Sequence, residues 1–191
     1  MLLVKFEDVR EDFSLREKIS KSIHNGLIFV YPTDTIYGLG CDAMQPVSVR
    51  KIRAVKQTDH PLSVIAPSMK WVEENFIVKH REYLDKLPGP ITLIFKKKDP
   101  EFLKWVSVSE SLGIRIPNHH FTKFVQRTGT PFVTTSVNIS GQSHIHKISD
   151  IPQSILNRID VVIDAGQLRN PPSTIVDLTG DRPKVIRKNG F

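Results

Sequence analysis

The stretch Tyr31-Pro32-Thr33-Asp34-Thr35-Ile36-Tyr37-Gly38-Leu39-Gly40 decides the reading of this chain. It follows the apolar run Leu27-Ile28-Phe29-Val30, so a buried strand empties into a segment of hydroxyls and glycines. Strand ends of that kind are where α/β proteins build ligand sites. A second elbow, Thr134-Thr135-Ser136-Val137-Asn138-Ile139-Ser140-Gly141, comes about a hundred residues later and again follows an apolar pair, Phe132-Val133. Two such elbows point to one cleft assembled from distant parts of the chain.

The segments between them alternate. Ser14-Leu15-Arg16-Glu17 has the form of a capping box, Leu15, Ile19 and Ile23 recur at helical spacing, and Gly26 supplies a stop. Leu27 to Tyr31 reads as a strand. Pro46 opens a helix carrying Val49, Ile52 and Val55 up to Lys56. Strands are expected at 62–66, 91–95, 112–116, 132–135, 161–163, 174–176 and 185–186. Helices are expected after Ser68, over 79–87, after Asn118 and over 151–159. This pattern predicts an α/β (α+β) fold, one domain over 1–191, with a twisted open mixed parallel and antiparallel sheet flanked by helices. A chain of 191 residues buries a substantial core without staples.

The single cysteine, Cys41, excludes an internal disulfide and fits a reducing compartment. No apolar run approaches the ~20 residues of a membrane span. A cytoplasmic protein without membrane contact is therefore expected. The 27 Lys and Arg against 20 Asp and Glu leave a formal charge of +7, which favours a nucleotide or a nucleic-acid backbone as partner.

Familiar catalytic signatures are missing. Gly38-Leu39-Gly40-Cys41-Asp42-Ala43 matches G-x-G-x-x-A, but six residues separate it from the strand end and the next helix starts only near Pro46. A dinucleotide fingerprint needs its glycines directly between strand and helix. The pairs His119-His120 and His144-Ile145-His146 lack zinc-site spacing and read as loop residues. What remains are cations and hydroxyls at strand ends. In Leu112-Gly113-Ile114-Arg115-Ile116, period-2 alternation sets Arg115 apart from the apolar face. So placed, it faces either a ligand anion or an internal carboxylate. Lys56, Arg187, Ser136, Asn138, Ser173 and Thr174 complete the set. Such residues suit chemistry by positioning and charge neutralisation, with no protein nucleophile, as in nucleotidyl transfer with Mg2+.

Seven segments, in order, resemble the YrdC family of threonylcarbamoyl-AMP synthases: 32–40, Pro61-Leu62-Ser63-Val64, Pro88-Gly89-Pro90-Ile91-Thr92-Leu93-Ile94, Gly113-Ile114-Arg115-Ile116-Pro117, 135–141, Ser173-Thr174-Ile175-Val176-Asp177-Leu178 and Ile186-Arg187. The resemblance implies a large basic concave cleft. It implies conversion of L-threonine, bicarbonate or CO2, and ATP into threonylcarbamoyl-AMP and pyrophosphate, feeding the machinery that modifies adenosine at tRNA position 37. By motif, Thr33, Arg115, Ser136 and Ser173 would surround threonine, and Lys56, Asn138 and Arg187 would hold ATP. The family pattern Lys-x-Arg is broken here, because Thr58 follows Lys56-Gln57 where Arg is expected; His60 or Lys51 could substitute for it. Val137 replaces a usual Ala, and no additional C-terminal domain is expected. Two other readings compete. One is a non-catalytic paralogue binding double-stranded RNA or tRNA on the basic surface. The other is a carbamoyl-transfer module like that of hydrogenase maturation proteins.

Overall fold

The computed structural model describes residues 1–188. The chain runs β1 (Leu2–Lys5), α1 (Phe6–Glu11), α2 (Phe13–His24), β2 (Phe29–Tyr31), β3 (Gly38–Gly40), α3 (Pro46–Lys56), β4 (Ser63–Ile65), α4 (Met69–Asn75) and β5 (Phe76–Ile77). After a 3-10 turn at Arg81–Lys86 come β6 (Ile91–Lys97), β7 (Ser111–Arg115), α5 (Phe121–Thr128) and β8 (Phe132–Ser136). A second 3-10 turn at Ile148–Asp150 leads to α6 (Gln153–Leu156), β9 (Val161–Asp164), β10 (Thr174–Asp177) and β11 (Lys184–Arg187).

The strands join in one sheet in the order β1-β9-β2-β3-β8-β4-β7-β6-β10-β11, with β5 on β6. The pairs β1–β9, β2–β9, β4–β7 and β6–β10 are parallel; β2–β3, β3–β8, β4–β8, β6–β7 and β10–β11 are antiparallel. The expected mixed α/β sheet is therefore present. No helix among the described residues is long and apolar enough to cross a membrane.

Alternation splits the interior into two cores. Val30, Val64, Val133 and Val162 pack with α3 through Val49, Ile52 and Val55. Their chain neighbours Phe29, Tyr31, Ile65 and Phe132 pack with α1, α2 and α5 through Phe6, Val9, Ile19, Ile23, Phe121 and Phe124. Tyr31 stacks on Phe121 with ring centroids 4.2 Å apart and meets Phe132 edge-on at 5.5 Å. Ring pairs of this kind contribute about 0.5–1.5 kcal/mol each beyond their burial.

Local departures from the sequence reading have identifiable causes. Asp12, not Ser14, caps α2, its carboxylate accepting from Leu15 N at 3.1 Å. Gly38-Leu39-Gly40 is a strand and not a loop, antiparallel to both β2 and β8. Glycine is required there by close approach, since a Cβ on Gly40 would lie 2.0 Å from the Val133 carbonyl and one on Gly38 2.6 Å from the Tyr31 ring. The region after Asn118 starts its helix only at Phe121, whose N–H bonds to His119 Nδ1. The Asn118 N–H goes to Asp34 instead. The helices expected over 79–87 and 151–159 shrink to the first 3-10 turn and to α6, which begins only after Pro152 at its N-cap. The pairing of β1 with β9 and the short helix α1 escaped the sequence reading.

Candidate functional site

The sheet order carries the site. Ser63, Thr92, Arg115 and Thr134 alternate with Val64, Leu93, Ile114 and Val133, which belong to the first core. All four therefore stand on the opposite face, and backbone register lines them up. Ser63 pairs with Thr134 and Gly113, Thr92 with Arg115 and Ile175, and Ile175 in turn with Arg187. Gly38 pairs with Ser136 on the other side. One row of small, hydroxyl-bearing and cationic positions thus crosses the sheet.

That row floors a cavity of about 200 Å3, whose wall includes Tyr37, Ser136, His144, Ser173 and Arg187. A second hollow, about 390 Å3, is lined by Lys56, Thr58, His60, Asn138, Gln142 and His144, among others. Pro61, Leu62, Thr135, Ser136 and His144 line both, so the two form an inner and an outer part of one cleft.

Arg115 is the innermost cation. Its guanidinium donates to Asp34 Oδ1 at 2.5 Å and Thr35 Oγ1 at 2.7 Å, with Thr33 Oγ1 at 3.5 Å. Of the two alternatives open for this residue, the internal carboxylate is the one seen, and Arg115 also lines the cavity. Asp34 Oδ2 accepts the Asn118 N–H, so the carboxylate is satisfied on both oxygens. Nε of Arg115 is buried and has no hydrogen-bond partner. Thr33 is buried and lines neither hollow. Its hydroxyl accepts from Thr35 N and donates to Ile36 O, shaping the turn that presents Asp34 and Thr35.

Lys56 reaches the cleft from the last turn of α3, which Gln57 ends in the left-handed region at φ 50°. Its Nζ donates to Ser136 O (2.9 Å), Ser136 Oγ (3.2 Å) and Asn138 Oδ1 (2.6 Å). No carboxylate lies within ion-pair distance among the described residues, and burial lowers its pKa to about 8. Asn138 Nδ2 binds Gln142 O at 2.6 Å, closing the turn that follows. Arg187 lies exposed at the rim, with Nε and Nη2 donating to Ser173 O at 3.0 and 2.8 Å. Burial of its head group and the neighbouring Arg115 lower its pKa. Ser173 Oγ bonds Thr92 Oγ1 at 3.0 Å.

The structure therefore brings Arg115, Ser136, Ser173 and Arg187 to the inner hollow and Lys56, Ser136 and Asn138 to the outer one. Of the two groups considered for the missing Arg, His60 lines the outer hollow and Lys51 lines neither. Sequence reasoning missed Asp34, Tyr37, Ser63, Thr92 and His144. All but His144 fall inside the segments that resemble the family, and Asp34 is flanked by two hydroxyls in the deciding stretch. Among the described residues no Asp or Glu lines either hollow, so these offer Mg2+ no carboxylate ligand.

The family profile for Sua5, YciO and YrdC, described as "Telomere recombination", matches residues 21–189. A Methanocaldococcus jannaschii protein is 31% identical over 97% of this chain and 92% of its own length. A Vibrio campbellii protein named threonylcarbamoyl-AMP synthase is 30% identical over 84% of this chain and 92% of its own length. Pyrococcus abyssi Sua5, solved with L-threonine bound, superposes with a TM-score of 0.86 at 26% identity, covering all of this chain and 57% of that one. Escherichia coli YciO shares the fold, with a TM-score of 0.81 at 23% identity and 94% of its chain covered. The chain belongs to the Sua5–YciO–YrdC family.

Proposed function

We propose that this protein is a threonylcarbamoyl-AMP synthase, joining L-threonine, CO2 or bicarbonate, and ATP into threonylcarbamoyl-AMP and pyrophosphate. The observation that carries the reading is the division of charge along the cleft. The inner hollow holds a cation already balanced by a carboxylate, Arg115 with Asp34. The outer hollow holds Lys56, bonded only to neutral oxygens, and Arg187 stands at the rim of the inner hollow, bonded to the Ser173 carbonyl. A cation balanced by a carboxylate suits a small amino acid, and cations bonded only to neutral oxygens, Lys56 and Arg187, suit a triphosphate reaching across both hollows.

In this reading Arg115 and the Ser173 hydroxyl contact threonine, with Ser136 at the junction. Thr33 contributes indirectly by holding the turn against Arg115. Lys56, Asn138 and Arg187 take the phosphates. The threonine carbamate oxygen then attacks the α-phosphorus in line, the bond from that phosphorus to the bridging oxygen breaks, and pyrophosphate leaves with that electron pair. The protein supplies orientation and charge neutralisation, not a nucleophile. Mg2+ would travel on the triphosphate oxygens. The product would pass to the enzymes that modify tRNA, in the cytoplasm.

Incubation with ATP, L-threonine and bicarbonate tests this. Threonylcarbamoyl-AMP should form, detected by mass spectrometry, and its formation should need all three. ATP binding without product under any of these conditions would overturn the reading. Salt-sensitive binding of double-stranded RNA alone would then favour a non-catalytic module, since backbone affinity falls steeply with salt.

A further inference from the structure

His144 is the residue of the cleft that neither the family motifs nor the charge layout accounts for. Its ring lines both hollows, at the junction where the proposed threonine and nucleotide sites meet. Nδ1 is buried without a hydrogen-bond partner, an orphan that protein interiors rarely keep. The segment that carries it is pinned on both sides. Ser140 N binds Lys56 O at 3.0 Å, Ile145 O accepts from Tyr37 N at 3.4 Å, and His146 Nδ1 lies 3.1 Å from Leu168 O. The backbone on either side of His144 is therefore anchored to the cleft walls.

We propose that His144 is the base that takes the proton released when the threonine amine becomes a carbamate; the inference rests on the activity proposed above. In that step the amine nitrogen bonds to the carbon of CO2, whose π electrons move onto oxygen. The N–H bond then breaks, its electrons stay on nitrogen, and the proton passes to the imidazole. The titratable groups lining the two hollows are Tyr37, Lys56, His60, Arg115, His144 and Arg187. Arg115 and Arg187 are permanent cations, and burial raises the Tyr37 pKa. His60 lines the outer hollow alone. His144 faces both, and burial, then Arg187, Lys56 and His146 in that order, lowers its pKa and keeps the ring neutral. The two nearby cations thus keep the imidazole unprotonated and free to take a proton near neutral pH, while making it a weaker base.

The test compares wild type, His144→Ala and His144→Gln for formation of threonylcarbamoyl-AMP, each checked by thermal melting. Removing a positioned base costs on the order of a hundredfold in rate or more. Both variants should lose about that factor near neutral pH while ATP affinity stays within about twofold. Added imidazole should restore at least about tenfold in His144→Ala, and the deficit should narrow as pH rises and solvent base takes over. Rates within about threefold of wild type, or a loss independent of pH and unmoved by imidazole, would overturn the proposal. Absence of product from wild type itself would overturn the activity it depends on, and this arm is read before any variant.

Discussion

Arg115 and Lys56 sit at opposite ends of one cleft and are nearly equally withdrawn from water, yet their charges are handled in different ways. The Arg115 side chain is 9% exposed beside an Asp34 that is 11% exposed. Lys56, 4% exposed, has only a carbonyl, a hydroxyl and an amide oxygen around it. A buried cation with a carboxylate is a structural unit whose halves depend on each other. A buried cation with neutral acceptors keeps its field for something else, and the lowered Lys56 pKa records the cost of holding that charge. The difference separates a residue that shapes the site from one that waits for an anion.

The largest expected effect tests the paired end. Arg115→Ala would leave Asp34 buried with only the Asn118 N–H, and stripping one partner from a buried pair costs about 3–5 kcal/mol. Urea denaturation should show that loss. The double variant with Asp34→Ala should recover most of it, because no charge is then orphaned. A single-variant loss below about 1 kcal/mol would mean that Asp34 does not compensate Arg115, and the contrast between the two ends would disappear.

Lys56→Met should do the reverse. Charge-assisted hydrogen bonds contribute about 1.5–3 kcal/mol, so the KM for ATP should rise roughly ten- to a hundredfold while stability changes little or increases. The pH dependence follows from the lowered pKa. Below about pH 8 Lys56 is charged in folded and unfolded chains alike, and its burial counts against the fold. As pH rises through about 8 the folded chain releases a proton that the unfolded chain still holds. Its contribution to stability therefore increases with pH, while ATP binding weakens. Denaturation curves and ATP titrations of wild type and Lys56→Met, taken from neutral to alkaline pH, should show these opposite slopes in wild type only. Parallel slopes in the two proteins would remove Lys56 from the anion site.

Much of this arrangement is legible in the chain itself. Apolar runs and their punctuation place the strands that matter, and alternation alone sets Arg115 on the face opposite Ile114. Lys56 is readable as the last residue of an amphipathic helix, and Ser136, Asn138 and Ser173 as polar residues at strand ends. The rest depends on contacts between segments far apart in sequence. Gly38-Leu39-Gly40 looks like a loop until Tyr31 on one side and Val133 on the other require two glycines there. Asp34 cannot be assigned to Arg115 without knowing that 81 residues of chain fold back between them. His144 looks like a loop histidine because the two cations that bear on its ring, Lys56 and Arg187, lie far from it in sequence.

The smallest effect concerns Thr58, where the family pattern has Arg. Thr58 is half-buried on the wall of the outer hollow, one residue past the left-handed Gln57. The nearest arginine along the chain cannot stand in for the missing one. Arg53 is committed to the carbonyls of Thr58, His60, Trp105 and Val106, and so fixes the loop instead of reaching the ligand. The outer hollow thus relies on Lys56, with Arg187 at the rim of the inner one. Thr58→Arg should lower the KM for ATP about three- to tenfold, a modest gain because solvent screens a group at the rim. That gain should shrink as salt is raised across the physiological range. Thr58→Lys should gain less, since an ammonium cannot bind a phosphate through two parallel N–H groups. Equal gains from Lys and Arg would show that the outer hollow responds only to charge. No gain from either would show that Lys56 and Arg187 already saturate the phosphates, so that the cleft has compensated for its missing guanidinium.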